Sequence, residues 1–187
     1  MGIFNFKPTS TADIEKKQER AAYLKDAQNK ACELFREIVR DLLRPGITKK
    51  SIKSEIHTLG FERHGVRTNW HKQTVRSSPH TLLPYKENPS ECIIQEDDIL
   101  FVDLGTVFEA WEADFGRTSV FGDDPAKKKL RDTLEPIWDA VKARYVQNPD
   151  MTGEQLFDTA CEKARKVVSS FGGKHSRHVV GNFPHEP

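Results

Sequence analysis

The chain has 187 residues, 36% of them hydrophobic, and its 29 lysine and arginine residues nearly balance 28 aspartate and glutamate residues. This length suffices for one compact core and does not require two domains. The formal net charge of +1 creates no strong field toward nucleic acid or an anionic membrane, and no segment has the roughly 20 apolar residues of a membrane span. We therefore expect a cytoplasmic protein with neither nucleic-acid nor membrane partners.

The first predicted elements are two helices. Residues 11–43 are rich in helix-forming residues, and apolar residues recur every four positions, at Leu34, Ile38 and Leu42. Pro45-Gly46 ends this amphipathic helix because proline cannot continue it. Thr48 is the predicted cap of a second helix that ends at Leu59-Gly60.

A hairpin is predicted next. An irregular stretch contains two short predicted strands, at 74–75 and 81–83, and is followed by an apolar buried strand at 99–102. A turn over 105–112 and a returning strand over 113–121 complete the hairpin. The predicted strands thus follow the two helices directly.

The last predicted elements repeat the opening plan of helix, proline, threonine cap and helix. They are a helix over 127–146, the breaker Pro149, the cap Thr152 and a helix that ends near Phe171. Since most helix pairs need a breaker and a cap, both coincidence and an internal repeat remain open. A genuine repeat would imply a pseudo-symmetric α+β domain.

The three cysteines, Cys32, Cys92 and Cys161, are odd in number and widely spaced. This pattern fits neither a disulfide framework nor a structural zinc site. We expect them to be reduced and to behave as small hydrophobic residues.

Two aspartates on the predicted hairpin are candidates for a charged site. If the turn is centred between Phe108 and Glu109, Asp103 lies opposite Asp114, and their Cβ atoms are about 5 Å apart. Two carboxylates in that position require a shared proton or a cation, and Glu112 adds further charge. The alternative is that Asp103 caps the turn and Asp114 begins an exposed strand.

The motifs around these aspartates resemble those of a known family. The pita-bread metallopeptidases have two segments that carry their first two metal aspartates, and residues 99–105 and 112–118 are similar to them. The separation from Asp103 to Asp114 is the same eleven residues, and an Arg-Thr pair follows the second aspartate in both cases. That family comprises methionine aminopeptidase, aminopeptidase P and prolidase, together with the non-metal creatinase. Residues 177–187 resemble its Gly-His-Gly-Ile-Gly and His-Glu-x-Pro motifs. The resemblance implies the α+β pita-bread fold.

The same resemblance implies the site residues. Asp103, Asp114 and His178 would hold two divalent metal ions (Mn, Co or Zn), and His185 would lie beside the substrate and stabilise the tetrahedral intermediate. Family members complete the site with two glutamates beyond the His-Glu motif, a role that Glu186 within the motif does not fill. We therefore expect residues 1–187 to form a single catalytic-type domain that is truncated at its C-terminal end or is a natural short form.

The implied activity is hydrolysis of the N-terminal residue of a peptide substrate by a dimetal-activated water. The segment 83–88 looks more like the aminopeptidase P and prolidase branch than like methionine aminopeptidase, which implies Xaa-Pro peptides. The alternatives are a non-catalytic peptide- or protein-binding module with an incomplete metal site, and a creatinase-type enzyme, which the retained ligands disfavour. The oligomeric state stays open between a monomer and a homodimer.

The remaining histidines are weighed against an ordinary structural role, which we expect for His57, His64 and His175. The aminopeptidase P pattern has a histidine directly before Tyr85, where this chain has Pro84. His80 either reaches the same pocket or is a loop residue, with the second favoured. The role of His71 stays open.

Overall fold

The computed structural model describes residues 10–167, 170–172 and 179–184. Within this part of the chain, two helices precede four strands, and two further helices follow. The elements are α1 (Thr11–Glu37), α2 (Lys49–Arg63), β1 (Val66–Asn69), β2 (Thr74–Ser77), β3 (Ile99–Phe108), β4 (Trp111–Val120), α3 (Pro125–Gln147) and α4 (Gly153–Lys166).

The first two helices agree with the sequence prediction except at the end of α2. A π-helical turn, Ile38–Leu42, prolongs α1, and the side chain of Thr48 caps α2 as predicted. The predicted end of α2 at Gly60 is wrong, because the helix continues to Arg63. Gly65, which has a φ of +70°, follows shortly after this end. Gly60 instead permits close packing, since a Cβ atom there would lie 3.2 Å from Val66.

The four strands form one antiparallel sheet with β3 at its centre. Along one side, β4 pairs with the whole of β3. Along the other side, β1 and β2 lie end to end, with β1 beside residues 106–108 and β2 beside residues 100–103. Residues 70–73 leave the sheet edge between them, so the ladder on this side is interrupted in the middle of β3.

The strand predictions were partly right. Residues 74–75 belong to β2, whereas the strand predicted at 81–83 is wrong because residues 78–82 form a 3-10 turn. The predicted turn over 105–112 is too long, since β3 extends to Phe108 and β4 begins at Trp111. The sequence prediction did not include β1.

The main core lies between the sheet and the first two helices. Leu100, Val102 and Leu104 alternate along β3 and are almost fully buried, in one cluster with residues of α1 and α2. The rings of Phe35 in α1 and Phe115 in β4 lie 4.9 Å apart. Because strand side chains alternate between faces, Asp103 lies on the opposite face of the sheet from this core.

The second helix pair confirms the predicted plan of two capped helices. The predicted end of the last helix near Phe171 is wrong, since α4 ends at Lys166. Asp124 caps α3, and Thr152 caps α4 through a capping box. None of the described residues of α3 is buried, and its exposed apolar side chains include Leu130, Leu134 and Trp138. No described helix is long and apolar enough to cross a membrane. The three cysteines are free, as expected.

Candidate metal site

The hairpin of β3 and β4 brings the two predicted aspartates to one face of the sheet in a different register from the predicted one. The turn consists of Glu109-Ala110, and the pairing sets Asp103 against Gly116 and Asp114 against Gly105. The predicted direct opposition of the two aspartates is therefore wrong, because the turn lies one residue further along the chain. The aspartates are diagonal neighbours, and each has a glycine opposite it.

This register relieves the repulsion that direct opposition would cause. Diagonal neighbours on antiparallel strands lie about 7–8 Å apart, a distance that side chains can still bridge. Neither glycine places a side chain between the two carboxylates, and the space above Gly105 is filled by His71. Asp103 and Asp114 are both half-buried, so their carboxylates converge at a partly desolvated position on the sheet.

The interrupted edge of the sheet supplies a third functional side chain. The backbone N–H of Trp70 donates to the carbonyl of Gly105 at 2.9 Å, and its indole N–H donates to the carbonyl of Ala113 at 3.2 Å. Trp70 is thus tied to both β3 and β4 where the edge ladder is broken. The next residue, His71, projects over Gly105.

His71 forms a compact group with the two aspartates. Its Nε2 atom lies 3.7 Å from Asp114 Oδ1. One donor atom each from His71, Asp103 and Asp114 can be chosen so that all lie within 4.8 Å of one another. Ligands of one transition-metal ion, with bonds of about 2.1 Å, lie about 3–4 Å apart. Two carboxylates at this separation can hold a divalent ion after small side-chain rotations, with the imidazole of His71 beside it.

The electrostatics of this group favour positive charge. Burial of the imidazole opposes its protonation. This effect is outweighed by the contact with Asp114, the hydrogen bond to the Lys72 carbonyl and the charge of Asp103. The pKa of His71 is therefore raised above 6.5. His71 Nδ1 lies 2.9 Å from the Lys72 carbonyl oxygen. A donor at Nδ1 directs Nε2 toward the carboxylates.

Tyr85, the aromatic residue of the sequence motif, lies beside this group. Its ring is 6.0 Å from that of His71 and perpendicular to it, and its hydroxyl accepts from the Lys72 backbone N–H at 3.2 Å. The histidine expected immediately before Tyr85 is replaced by Pro84. An imidazole nevertheless stands next to the tyrosine, contributed by His71 from the sheet edge.

One buried arginine shapes the loop that carries Tyr85. Arg76, on β2, is only 3% exposed. Its guanidinium donates to the backbone carbonyls of Leu83, Pro84, Tyr85 and Glu87. Because a guanidinium has five N–H donors in a fixed plane, it holds four carbonyls in one arrangement. Arg76 therefore sets the position of Tyr85 relative to the sheet.

Glu112 connects β4 to the last described segment, residues 179–184. It is 1% exposed, and its Oε2 accepts from the backbone N–H of Gly181 at 3.0 Å. Its own backbone N–H donates to the Gly181 carbonyl at 3.0 Å, and further contacts join Trp111 to Asn182 and Ala110 to Phe183. His178 and His185, which flank this segment in sequence, lie outside the described residues.

Two of the other histidines, His64 and His80, make structural contacts. His64 Nε2 lies 2.7 Å from a carboxylate oxygen of the buried Glu37, and His57 is exposed. His80 contacts Lys49 and Cys92 and is not part of the three-residue group. His175 lies outside the described residues.

Sequence reasoning did not identify His71 as a partner of the aspartates or Glu112 as the anchor of the last segment. Gly105 carried a usable signal for His71, because a glycine inside a strand often marks a close approach by another group. The sequence analysis assigned Gly105 to the turn instead.

Comparisons with known proteins identify the family of this chain. The family model for metallopeptidase family M24 matches residues 22–187. A Xaa-Pro dipeptidase of Lactobacillus delbrueckii subsp. lactis is 26% identical over 144 residues, 76% of this chain and 37% of that protein. Methionine aminopeptidase 1 of Saccharomyces cerevisiae is 26% identical over 165 residues, 83% of this chain and 42% of that protein.

The fold also matches a solved structure. An X-Pro aminopeptidase from Thermotoga maritima superposes with a TM-score of 0.63 at 22% identity, over 82% of this chain and 45% of that chain. This likeness confirms the predicted α+β pita-bread fold. The chain spans 37% and 42% of the length of the two curated relatives, the Xaa-Pro dipeptidase and methionine aminopeptidase 1.

Proposed function

The chain belongs to metallopeptidase family M24, and we propose that the whole protein is a metal-dependent aminopeptidase that removes the N-terminal residue of peptides, with Xaa-Pro peptides as its substrates. The observation that carries this proposal is the convergence of the Asp103 and Asp114 carboxylates, with the His71 imidazole beside them, within 4.8 Å. The preference for proline is supported by the resemblance of residues 83–88 to the aminopeptidase P and prolidase branch. We further propose that residues 1–187 belong to one catalytic-type domain.

Asp103, Asp114 and His178 are the proposed ligands, the last by family resemblance. Carboxylates with an imidazole suit Mn, Co or Zn, and the chain's ligands would be shared between two such ions. When bound, divalent ions supply a water of lowered pKa and polarise the scissile carbonyl. The negative charges of the two half-buried aspartates need a cation to neutralise them. This need is the contribution of the described residues to metal affinity.

His71 is proposed to handle a proton beside the ligands. Its Nδ1 faces the Lys72 carbonyl at 2.9 Å, and its Nε2 faces Asp114 at 3.7 Å. A proton held at Nε2 therefore lies against the carboxylates and can be passed to a leaving amine. This role compensates for Pro84, which stands where the aminopeptidase P pattern has a histidine.

His185 is proposed to contact the substrate and stabilise the tetrahedral intermediate. A hydrogen-bond donor aimed at a developing oxyanion acts more strongly in the transition state than in the ground state. The proposal rests on the His-Glu-x-Pro motif, since His185 is outside the described residues. The neighbouring segment 179–184 is held against β4 by Glu112.

The test is release of the first residue from Ala-Pro-Ala and Ala-Ala-Ala by the protein loaded with Mn²⁺ or Co²⁺. We expect turnover of the proline peptide to fall by at least about 100-fold in Asp103→Ala, because a ligand of the ions is lost. Asp139→Ala, at an exposed position on α3, is the matched control. Equal turnover by the parent and Asp103→Ala would reject the proposal, and faster cleavage of Ala-Ala-Ala would reject the preference for proline.

A second candidate function is a non-catalytic module that holds a peptide in the same cleft. Pro84 in place of the expected histidine is the observation that favours it. Metal analysis separates the two candidates: protein purified in Mn²⁺ that retains no ion, yet binds Ala-Pro-Ala, would support the module.

A further inference from the structure

The start of α2 carries an unusual concentration of positive charge. Lys49 and Lys50 occupy its first turn, which contains no acidic residue, and Lys53 follows. The amino-terminal end of a helix already carries partial positive charge, so anions are favoured there and cations are not. The three lysines thus repel both the helix end and one another.

These lysines line a cavity of about 210 Å³ between α2, β2 and the loop at residues 87–91. We call this cavity the lysine pocket. Its charged lining residues are five cations, Lys49, Lys50, Lys53, Lys72 and Arg76, and two carboxylates, Glu87 and Glu91. The lining therefore has a formal excess of three positive charges.

Several of these charges are held in place by hydrogen bonds. Lys49, only 5% exposed, donates to the Ser90 carbonyl at 2.8 Å. Lys72 Nζ lies 3.0 Å from Asn88 Oδ1. Glu91 accepts from the backbone N–H of Lys50 at 3.1 Å, so this carboxylate already takes one amide at the helix end. Lysine side chains, rather than helix amides, are the groups that a ligand would meet.

Lys53 is an unfavourably placed cation of the pocket. Its burial and the nearby charges of Lys72 and Lys49 lower its pKa below 10.5, against a smaller opposite effect of Glu91. Desolvation of a charge is costly unless an opposite charge compensates it. An anion in the pocket would provide that compensation.

We propose that the lysine pocket binds a small multivalent oxyanion of the phosphate class, either free phosphate or the phosphoryl group of a small molecule. The excess of three charges matches a dianion or trianion better than a single carboxylate. The volume is below the roughly 300–1,000 Å³ of pockets for drug-sized ligands, which favours a small anion. The pocket adjoins the metal group through Lys72 and Arg76, but the proposal does not rest on the proposed peptidase reaction.

The test uses the 187-residue chain with metal removed by a chelator, so that phosphate cannot act through the metal site. Inorganic phosphate is titrated at constant ionic strength while melting temperature and heat of binding are recorded. At ten times its Kd, phosphate should raise the melting temperature by about 3–6 °C. Acetate at the same ionic strength should have a much smaller effect.

Variants of the pocket locate the effect. Lys53→Gln and Lys72→Gln should each weaken phosphate binding at least about fivefold, whereas Lys129→Gln, on the exposed surface of α3, should leave it unchanged. Lys53→Arg keeps the charge and should retain binding, which separates loss of the site from loss of the fold.

Three results would overturn the proposal: no thermal shift with phosphate, unaltered binding in both pocket variants, or an equal shift with acetate. Glycerol 3-phosphate distinguishes the two sources of the anion. Tighter binding than that of phosphate supports a phosphorylated small molecule, and equal or weaker binding supports free phosphate.

Discussion

The imidazole of His71 occupies the space that a side chain at Gly105 would need. A Cβ atom on Gly105 would lie 2.6 Å from His71 Nε2 and 2.7 Å from Trp70 Nε1. Gly116, the other glycine on this face, differs, because a Cβ atom there would lie 3.6 Å from the Val102 carbonyl oxygen, an ordinary contact. Gly105 therefore admits the third member of the metal group, whereas Gly116 could be replaced by alanine without a clash.

Gly105→Ala should displace His71 from Asp114. We expect Mn²⁺ affinity to fall about tenfold or more, as for other groups that orient metal ligands, and the free energy of unfolding to fall by about 1–3 kcal/mol through overpacking. Calorimetric titration and urea unfolding measure the two effects. Gly116→Ala is the matched control and should change neither quantity substantially; similar losses in both variants would contradict the role given to Gly105.

Asp103→Asn and Asp114→Asn should remove metal binding while preserving side-chain shape. We expect the metal-dependent rise in melting temperature to disappear in each variant, because stabilisation by a bound ion depends on its affinity. Without metal, each variant should have a stability close to that of the parent, since the relieved repulsion between two half-buried carboxylates is offset by the lost interaction with His71. Thermal unfolding with and without Mn²⁺ checks both expectations. A full metal-dependent shift in either variant would remove that aspartate from the ligand set.

The proximity of the two aspartates could be predicted from the sequence, but the register of the hairpin that carries them could not. Asp103 follows an apolar strand, and a returning strand carries Asp114, so their closeness follows from hairpin geometry. The turn was misplaced because Glu109-Ala110 lacks the usual glycine or asparagine signal. Glu109 nevertheless adopts a φ of +56°, a conformation uncommon for glutamate.

The place of His71 beside the aspartates could not be predicted, for a different reason. Its position depends on where the chain leaves the edge between β1 and β2, and local patterns do not encode such a gap. Hydrophobic periodicity identifies elements and their buried faces, whereas the location of an irregular connection depends on tertiary contacts such as those of Trp70. The same holds for Glu112, whose partner Gly181 is distant in sequence.

Glu112→Ala should loosen the segment 179–184. Removing the carboxylate leaves the Gly181 N–H without its charged acceptor in a buried position, which costs about 2–3 kcal/mol. Faster hydrogen exchange at the Gly181 amide and a lower urea midpoint are the expected results. Glu112→Gln retains an acceptor oxygen and should lose less. Unchanged exchange at Gly181 in Glu112→Ala would contradict this anchoring role.

The cap of α3 should make that helix sensitive to acid. Hydrogen bonds from the backbone N–H groups of Lys127 and Ala126 hold the pKa of Asp124 below its ordinary value of 3.8. Since the folded pKa is lowered, the stabilisation is present above 3.8 and is lost as pH falls through the folded value. Amide exchange in α3 between pH 5 and pH 2 should show fraying at the acidic end.

Asp124→Asn provides the control for this titration, because asparagine also caps helices but does not ionise. Its α3 should show little pH dependence from this position over the same range. Identical acid fraying in the parent and the variant would assign the effect to other carboxylates.

The interruption between β1 and β2 also bears on self-association. An unbroken exposed edge strand is a template for pairing with another chain, and proteins protect such edges with short strands, lysines and irregular segments. On this side of the sheet, β1 and β2 have four residues each, and the segment between them turns its backbone toward Gly105 and carries Lys72. Residues 70–73 leave the ladder and thereby bring the imidazole of His71 to the metal group. The same gap removes a continuous strand edge on this side of the sheet, with which another molecule could pair and aggregate.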